Sequence, residues 1–331
     1  MFEPARLRAR AAPPHTWSNE LHPFNPFYGH DAVLKRYTGM SRRNALKATI
    51  EHGLTLDDVV PAMDRRLSLP AYLTQSDRRA SVVARVLPGV DVVAIGPLIR
   101  YAEALEPAGR QTSRGRVVLF PAHSIDTAQA EFDVVQFLDA TAARRAAYDE
   151  TVVCLYWRDV QLGRGRDYRE AGLACTTAGH LRAPDFLFRL LEVLRSAQLV
   201  ITNEPGTHLA YAVLLGVPVW LVPQHVEYAM TRRTPAEVLE ARGQPGANER
   251  VAQLRRLFDE PVQAPTEEQV AFIRELTGDH HVRAPGELRE ILERAQTAYA
   301  AWPRRRRARL RSESVARSIA GLVRASTGAR S

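Results

Sequence analysis

The chain has 331 residues, 45% hydrophobic and 25% charged, a composition that can bury the cores of two ordinary domains and is too apolar for a disordered polymer. No stretch offers the roughly 20 uninterrupted apolar residues of a membrane span, and the N-terminus lacks the apolar core of a secretory leader. The formal net charge is +8, and nine arginines against one glutamate over residues 304–331 account for all of it; the globular part therefore lacks the net basic charge of a nucleic-acid binder.

The N-terminal part is the less regular one. Residues 41–53 run into a turn at His52-Gly53. Residues 90–97 (VDVVAIGP) predict a strand that stops at Gly96-Pro97, and LIRYAEAL after it predicts a helix. A polar stretch bearing Gly and Pro, 106–115, reads as a linker. Beyond it the alternation is regular. Strands are expected over 116–120 (RVVLF), 151–157 (TVVCLYW), 173–179 (LACTTAG), 198–203 (QLVITN) and 217–222 (VPVWLV). Helices are expected over 130–148, 166–172, 183–197 and 206–215, with residues 158–167 left as a polar loop. The helix at 183–197 has Pro184 in its first turn and a wide apolar stripe through Phe186, Leu187, Leu190, Leu191 and Leu194. Strands separated by helices predict a parallel sheet covered on both faces. Helical segments follow at 234–243, 248–258, 266–278 and 284–302. The predicted organisation is α/β: an N-terminal domain over 1–110, a C-terminal domain over 115–303, and a basic tail over 304–331. Cys154 and Cys175, both in apolar runs, read as buried thiols of a reducing, cytoplasmic protein.

In a parallel sheet, ligands collect beyond the carboxyl ends of the strands. Those ends carry His123 and Ser124 after the first strand of the regular part, Trp157 and Asp159 after the second, Gly179 and His180 after the third, and Asn203, Glu204, Gly206, Thr207 and His208 after the fourth. The chain has ten histidines, and three of these four ends hold one. Gly206 allows close approach of a ligand to backbone, and Asn203 or Thr207 can cap a helix whose free N–H groups suit a phosphate. Any one of these loops alone reads equally well as an ordinary cap.

The stretch FLFRLLEVLRSAQLVITNEPGTHLAYAVLLGVPVW resembles the donor-binding domain of GT-B-fold glycosyltransferases: a helix, a strand, a Gly/Thr turn, a small-residue helix, and an apolar-Gly-apolar-Pro-Val run. IEHG at 50–53 resembles the His-Gly turn of polymer-forming members. LFPAHSID, CLYWRDVQLGR and AGH narrow the resemblance to a group associated with bacterial capsule and O-antigen biosynthesis. The resemblance implies two Rossmann-like domains with a helical C-terminal region, a nucleotide-sugar donor, and a glycan or lipid-linked acceptor. On it, His123, Ser124, Gly206 and Thr207 contact phosphate, Asn203 and His208 orient it, Glu204 lies beside them, and Trp157, Asp159, Gly179 and His180 border the base or sugar. His52 is the first candidate for the general base, followed by Asp126 and Glu131. The pattern departs in one place: the helix after the turn reads Leu209-Ala210-Tyr211-Ala212, without the glutamate of retaining members.

Other readings are a nucleotide-sugar epimerase of the same fold, or a non-enzymatic protein that binds nucleic acid or membrane through its tail. In the tail Val315, Ile319, Leu322 and Val323 fall on one helical face among arginines, which suits an anionic membrane surface. That would place the protein at the inner face of the plasma membrane; no nucleic-acid partner is expected. The Gly163-x-Gly165 pair lacks the third glycine of a dinucleotide site, and no cofactor is expected. No metal is expected either, since His280 and His281, beside Asp279, are adjacent residues whose side chains should diverge. Asp57-Asp58 reads as a cap near a helix start.

Overall fold

The computed structural model describes residues 4–14, 18–106, 115–230, 245–304, 307–308, 310 and 312. The expected helix at 234–243, most of the 106–115 linker and the apolar face expected in the tail lie outside the described residues. Two parallel sheets, each flanked by helices, organise the rest, as the sequence pattern implied.

The first unit is built on β1 (Ala48–Ile50), β2 (Ala71–Thr74) and β3 (Asp91–Ala94), all parallel, in the order β1-β2-β3. Helices α2 (His30–Thr38), α4 (Asp77–Val86) and α5 (Leu98–Leu105) cover it, and α1 (Pro4–Ala11) and the short α3 (Ala62–Arg66) complete the N-terminal elements. The free edge of β1 is satisfied by a side chain: Asn25 donates to Ala48 O and accepts from Ile50 N, each at 2.9 Å. One amide thus does the work of a neighbouring strand.

The second unit is a five-stranded parallel sheet in the order β7-β6-β4-β8-β9. Its strands are β4 (Arg116–Phe120), β6 (Glu150–Cys154), β7 (Ala174–Thr176), β8 (Leu199–Thr202) and β9 (Val219–Leu221). The chain lays β4 first, adds β6 and β7 on one side, and crosses to β8 and β9 on the other. The topological switch point therefore lies between β4 and β8, where doubly wound sheets bind ligands. Helices α6 (Val134–Arg145), α7 (Trp157–Gln161), α8 (Gly165–Glu170), α9 (Phe186–Arg195) and α10 (Thr207–Leu214) connect the strands. An antiparallel pair, β5 (Ala128–Glu131) with β10 (Glu227–Met230), stands beside the sheet.

Two local expectations change, and two strands are new. Residues 130 and 131 belong to β5 rather than to a helix; α6 starts only at Val134, where the Asp133 side chain accepts from Gln136 N at 2.9 Å. Residues 158–161 are helical, not loop. Strands β1 and β2, three and four residues long, had not been expected as separate strands.

Helices α11 (Pro245–Phe258) and α12 (Glu267–Thr277) pack on the second unit, and α13 (Pro285–Ala301) returns to α2 in the first. Leu310, early in the basic tail, is buried with Leu21, Leu67 and Leu69. The two units share one apolar cluster that runs from Leu34 and Ile99 to Leu187, Leu191 and Leu209. Among the described residues no helix is long and apolar enough to cross a membrane.

Candidate functional site

The loops at the switch point are fixed by buried polar side chains. Asn203, fully buried just after β8, accepts the Ala122 N–H at 2.7 Å and donates to Gln224 Oε1 at 2.7 Å. It therefore ties the loop after β8 to the loop after β4. Asp159, buried in α7, accepts the Ser124 N–H at 3.1 Å, and Ser124 Oγ accepts from Ala130 N at 3.2 Å. Burial raises the Asp159 pKa while the Ser124 hydrogen bonds oppose it. Asn203, Ser124 and Asp159 thus set loop shape and are not presented to a ligand as free groups.

Between the units lies a cavity of about 130 Å³. The second unit contributes Phe120, His123, Cys154, Tyr156, Gly206, Thr207 and His208; the first contributes Tyr28, His30 and Gly53. The His208 ring stacks on Phe120, 4.8 Å between centroids and 11° between planes, with Nε2 at 3.0 Å from Thr202 Oγ1. Burial, helped by the neighbouring His123, depresses its pKa to about 3. His123 packs edge-on against Tyr156 at 4.4 Å, and burial brings it to about 4. His30 is 2% exposed, its Nδ1 has no hydrogen-bond partner, and burial with the nearby His52 takes it to about 3. The Tyr28 and Tyr156 hydroxyls meet at 3.2 Å, and burial pushes both phenols up. Cys154 is a free, buried thiol raised to about 12 by burial, so it is no nucleophile at neutral pH.

The cavity thus presents three neutral imidazoles and two neutral phenols within largely apolar walls. An anion placed there reverses the balance, because a nearby negative charge favours imidazolium.

Gly206 and Thr207 sit at the start of α10. Gly206 is extended (φ −160), so its backbone does not demand glycine; a Cβ would instead lie 2.9 Å from the His208 ring. Thr207 Oγ1 accepts the Leu54 N–H at 2.8 Å, which joins the two units and leaves its own O–H to donate.

On the facing unit, His52-Gly53 follows β1 and is held from behind. Arg79 binds the Glu51 carboxylate through Nε (2.9 Å) and Nη2 (2.6 Å), both partners being buried. Thr74 also donates to Glu51, and Gln75 Nε2 donates to Gly53 O at 2.8 Å. Gly53 has φ +77, which favours glycine. His52 is half-buried behind Tyr28, with Phe24 at 5.3 Å and Phe27 at 5.5 Å; it is not among the cavity-lining residues. Burial lowers its pKa against the pull of Asp64 and Glu51. The next loop is pinned by arginines: Arg250 Nε donates to Leu56 O at 2.5 Å, and Asp58 pairs with Arg78 and Arg250. Asp57 accepts from Val59 N at 2.9 Å. The acid pair therefore builds this loop and caps no helix.

The remaining expected residues divide. Trp157 and His180 pack together at 4.4 Å under α1, whose Arg10 O accepts from His180 N at 3.3 Å. Gly179 lies against the same carbonyl. These three were expected to border the base or sugar; α1 covers them instead. Asp159 and Glu131 line a second cavity of about 210 Å³ that shares Pro121, Leu155 and Tyr156 with the first. Asp126 is exposed. Glu204 pairs with Arg255 of α11 at 3.5 Å.

Sequence reasoning missed Tyr28, His30 and Tyr156. Tyr28 (φ 58) and Gly29 (φ 71) form a left-handed pair that drives this turn into the second unit. Tyr28 N donates to Leu181 O at 2.5 Å, and a Cβ on Gly29 would lie 2.5 Å from Pro184 O. The Tyr-Gly pair directly before a helix was the one local signal.

No family model matches the chain, and no curated protein does. Among solved structures it is similar to the wall teichoic acid polymerase TagF at 9% identity, over 78% of this chain and 69% of that one, with a TM-score of 0.43. It is also similar to a UDP-GlcNAc 2-epimerase from Neisseria meningitidis bound to UDP-GlcNAc (11% identity, 70% and 62% coverage, TM-score 0.34). A third similarity is to TarM (9% identity, 79% and 52% coverage, TM-score 0.30). The chain spans less than two thirds of the latter two. Likenesses this low carry no functional argument, and the two-sheet architecture rests on this chain's own strand pairing.

Proposed function

We propose that the chain is a glycosyltransferase that takes its sugar from a nucleotide-sugar donor held in the cleft between the two sheets. The observation that carries this reading is the set of buried, neutral imidazoles lining the cavity at the switch point, beside the His52-Gly53 turn. The donor's phosphates would lie against His123, His208, the Thr207 hydroxyl and the N–H groups that open α10. Charge develops on the departing nucleoside phosphate, and preorganised N–H donors and imidazolium groups stabilise it without requiring a metal. His52, beside the cavity-lining Gly53 and with its pKa lowered by burial, would take the proton of an acceptor hydroxyl that approaches past Tyr28, as the new bond to the anomeric carbon forms and the bond to phosphate breaks. His30 is the second candidate for that proton.

Ligand sites ordinarily occupy roughly 300–1,000 Å³, more than either cavity alone. The two cavities share the Tyr156 wall, so an elongated donor would occupy both. The acceptor would be a glycan or its lipid-linked precursor, and the reaction cytoplasmic. The tail beyond Ser312 would contact the anionic inner face of the membrane. A deletion that tests the tail must begin after Ser312, because Leu310 is part of a core.

A thermal-shift screen with CMP, UDP, GDP and dTDP tests the reading. Stabilisation by at least one of them is expected; stabilisation by NAD and none of the four would overturn it. Incubation of the matching nucleotide sugar with and without acceptor then separates transfer from epimerisation, the alternative on the same fold.

A further inference from the structure

Helix α12 ends at Gly278 (φ +63), and a single 3-10 turn, Asp279–His281, leads toward α13. Side chains of successive residues diverge on an extended chain. Here the tight turn brings them together: the rings of His280 and His281 lie 4.1 Å apart, with 42° between planes. Both face one carboxylate oxygen of Asp77, which His281 Nε2 approaches to 2.8 Å and His280 Nε2 to 3.7 Å. Asp77 opens α4 on the first unit, whereas α12 packs on α10 of the second. The three residues therefore meet across the junction of the two units.

The surroundings fix this meeting. A Cβ on Gly278 would collide with Gln75 O and Ser76 Cα. Asp279 is held by Arg100 through Nε (2.8 Å) and Nη2 (3.1 Å), and Arg274 lies at 3.4 Å. Asp279 is thus engaged by two arginines, and together with Glu103, which Arg100 Nη1 meets at 2.9 Å, it offsets their charge. The side chains of Asp77 and His280 are 74% and 65% exposed, that of His281 only 17%. An ion can enter from solvent, and water can complete its shell.

We propose that Asp77, His280 and His281 form a binding site for a divalent transition-metal ion of the zinc class, bridging the two units at the side of the junction where α12 ends. The donor atoms already lie within 4.8 Å of one another. Around a tetrahedral ion with bonds of about 2.0–2.2 Å, ligand atoms stand about 3.3 Å apart, so small movements of exposed side chains close the site. Two imidazoles and one carboxylate suit zinc, cobalt, nickel or copper, whereas magnesium and calcium require oxygen ligands. The bound ion would tether the turn that carries Gln75, the residue that holds Gly53 O. Metal bound here would thus brace the His52-Gly53 turn without touching a reacting group.

The test uses the full-length protein, stripped with a chelator and titrated with zinc and with cobalt chloride. One equivalent of zinc should bind with micromolar affinity or better, and cobalt should give visible d–d absorption. At a hundredfold excess over Kd, zinc should raise the melting temperature by about 4 °C, and magnesium and calcium should not. His281→Ala and Asp77→Ala, with metal-free melting temperatures near that of the parent, should each weaken zinc binding about tenfold or more. His225→Ala, at an exposed histidine elsewhere, should bind like the parent. Absence of saturable binding at submillimolar zinc would overturn the proposal. Unchanged zinc affinity in both Asp77→Ala and His281→Ala would overturn it as well.

Discussion

The ion pairs beneath the first sheet and the imidazoles of the cleft are both withdrawn from water, yet the chain treats them in opposite ways. Lys35, 1% exposed, meets Glu20 at 2.5 Å and Asp31 at 3.1 Å. Glu20 also accepts from Asn25, the residue that closes the edge of β1. Arg79 and Glu51 are paired through two nitrogens. Each of these charges faces an opposite one, Glu20 and Asp31 sharing Lys35, because an unpaired buried charge costs several kcal/mol. His30, His123 and His208 remain neutral instead, and His30 Nδ1 has no partner. Paired groups build the frame that carries the His52-Gly53 turn. On the proposed function, the neutral imidazoles are the groups that a bound anion would complete.

That contrast sets the order of the expected effects. Removing one member of a frame pair should hurt most: Glu51→Ala strands the Arg79 guanidinium, and the protein should lose about 3–5 kcal/mol in denaturant titration. A Glu51→Leu/Arg79→Met double variant should recover much of it; if the single variant is as stable as the parent, the pair is not part of the frame. His52→Ala should instead spare stability and donor affinity and lower turnover by about 10²–10⁴. An equal loss of nucleotide affinity would make His52 a positioning residue, and unchanged turnover would leave the proton to His30.

His123→Ala removes a half-buried ring for which no hydrogen bond is seen. Its effect on stability should stay within about 1 kcal/mol, while nucleotide affinity falls by about tenfold or more, the worth of one charge-assisted hydrogen bond. Loss of stability without loss of affinity would place His123 with the frame.

A further effect, silent at neutral pH, is on pH dependence. The three cleft imidazoles have pKa values depressed from 6.5 to about 3 or 4, so below pH 6.5 the unfolded chain binds more protons than the folded one. Their contribution is complete above pH 6.5 and is lost as pH falls toward 4 and then 3. His30→Phe and His208→Phe should flatten the stability profile between those limits. An unchanged slope in both would contradict the depressed values.

What was legible in the sequence follows from range. The apolar runs of β4 and β8 and the stripe of α9 are local patterns, and they located the switch point with His123, Thr207 and His208 on its rim. Tyr28 meets Tyr156 across 128 residues, and no window of sequence displays such a pairing. β5 and β10, AQAE and EYAM, carry too little apolar alternation to announce a strand; each exists because the other is there. His180 and Trp157 had the right chemistry at the right strand ends, but nothing in their neighbourhood revealed that α1 would cover them. The divergence expected of His280 and His281 holds for extended chain and fails in a 3-10 turn.

The central claim is that the cleft imidazoles wait for an anion. It is tested most directly by calorimetry of the stabilising nucleotide at pH 6.5–7, repeated in two buffers of different ionisation enthalpy. Binding should be accompanied by net proton uptake from buffer, since the anion turns neutral imidazole into imidazolium, and uptake should shrink in His208→Phe. Tight binding with no proton uptake in either protein would contradict the account.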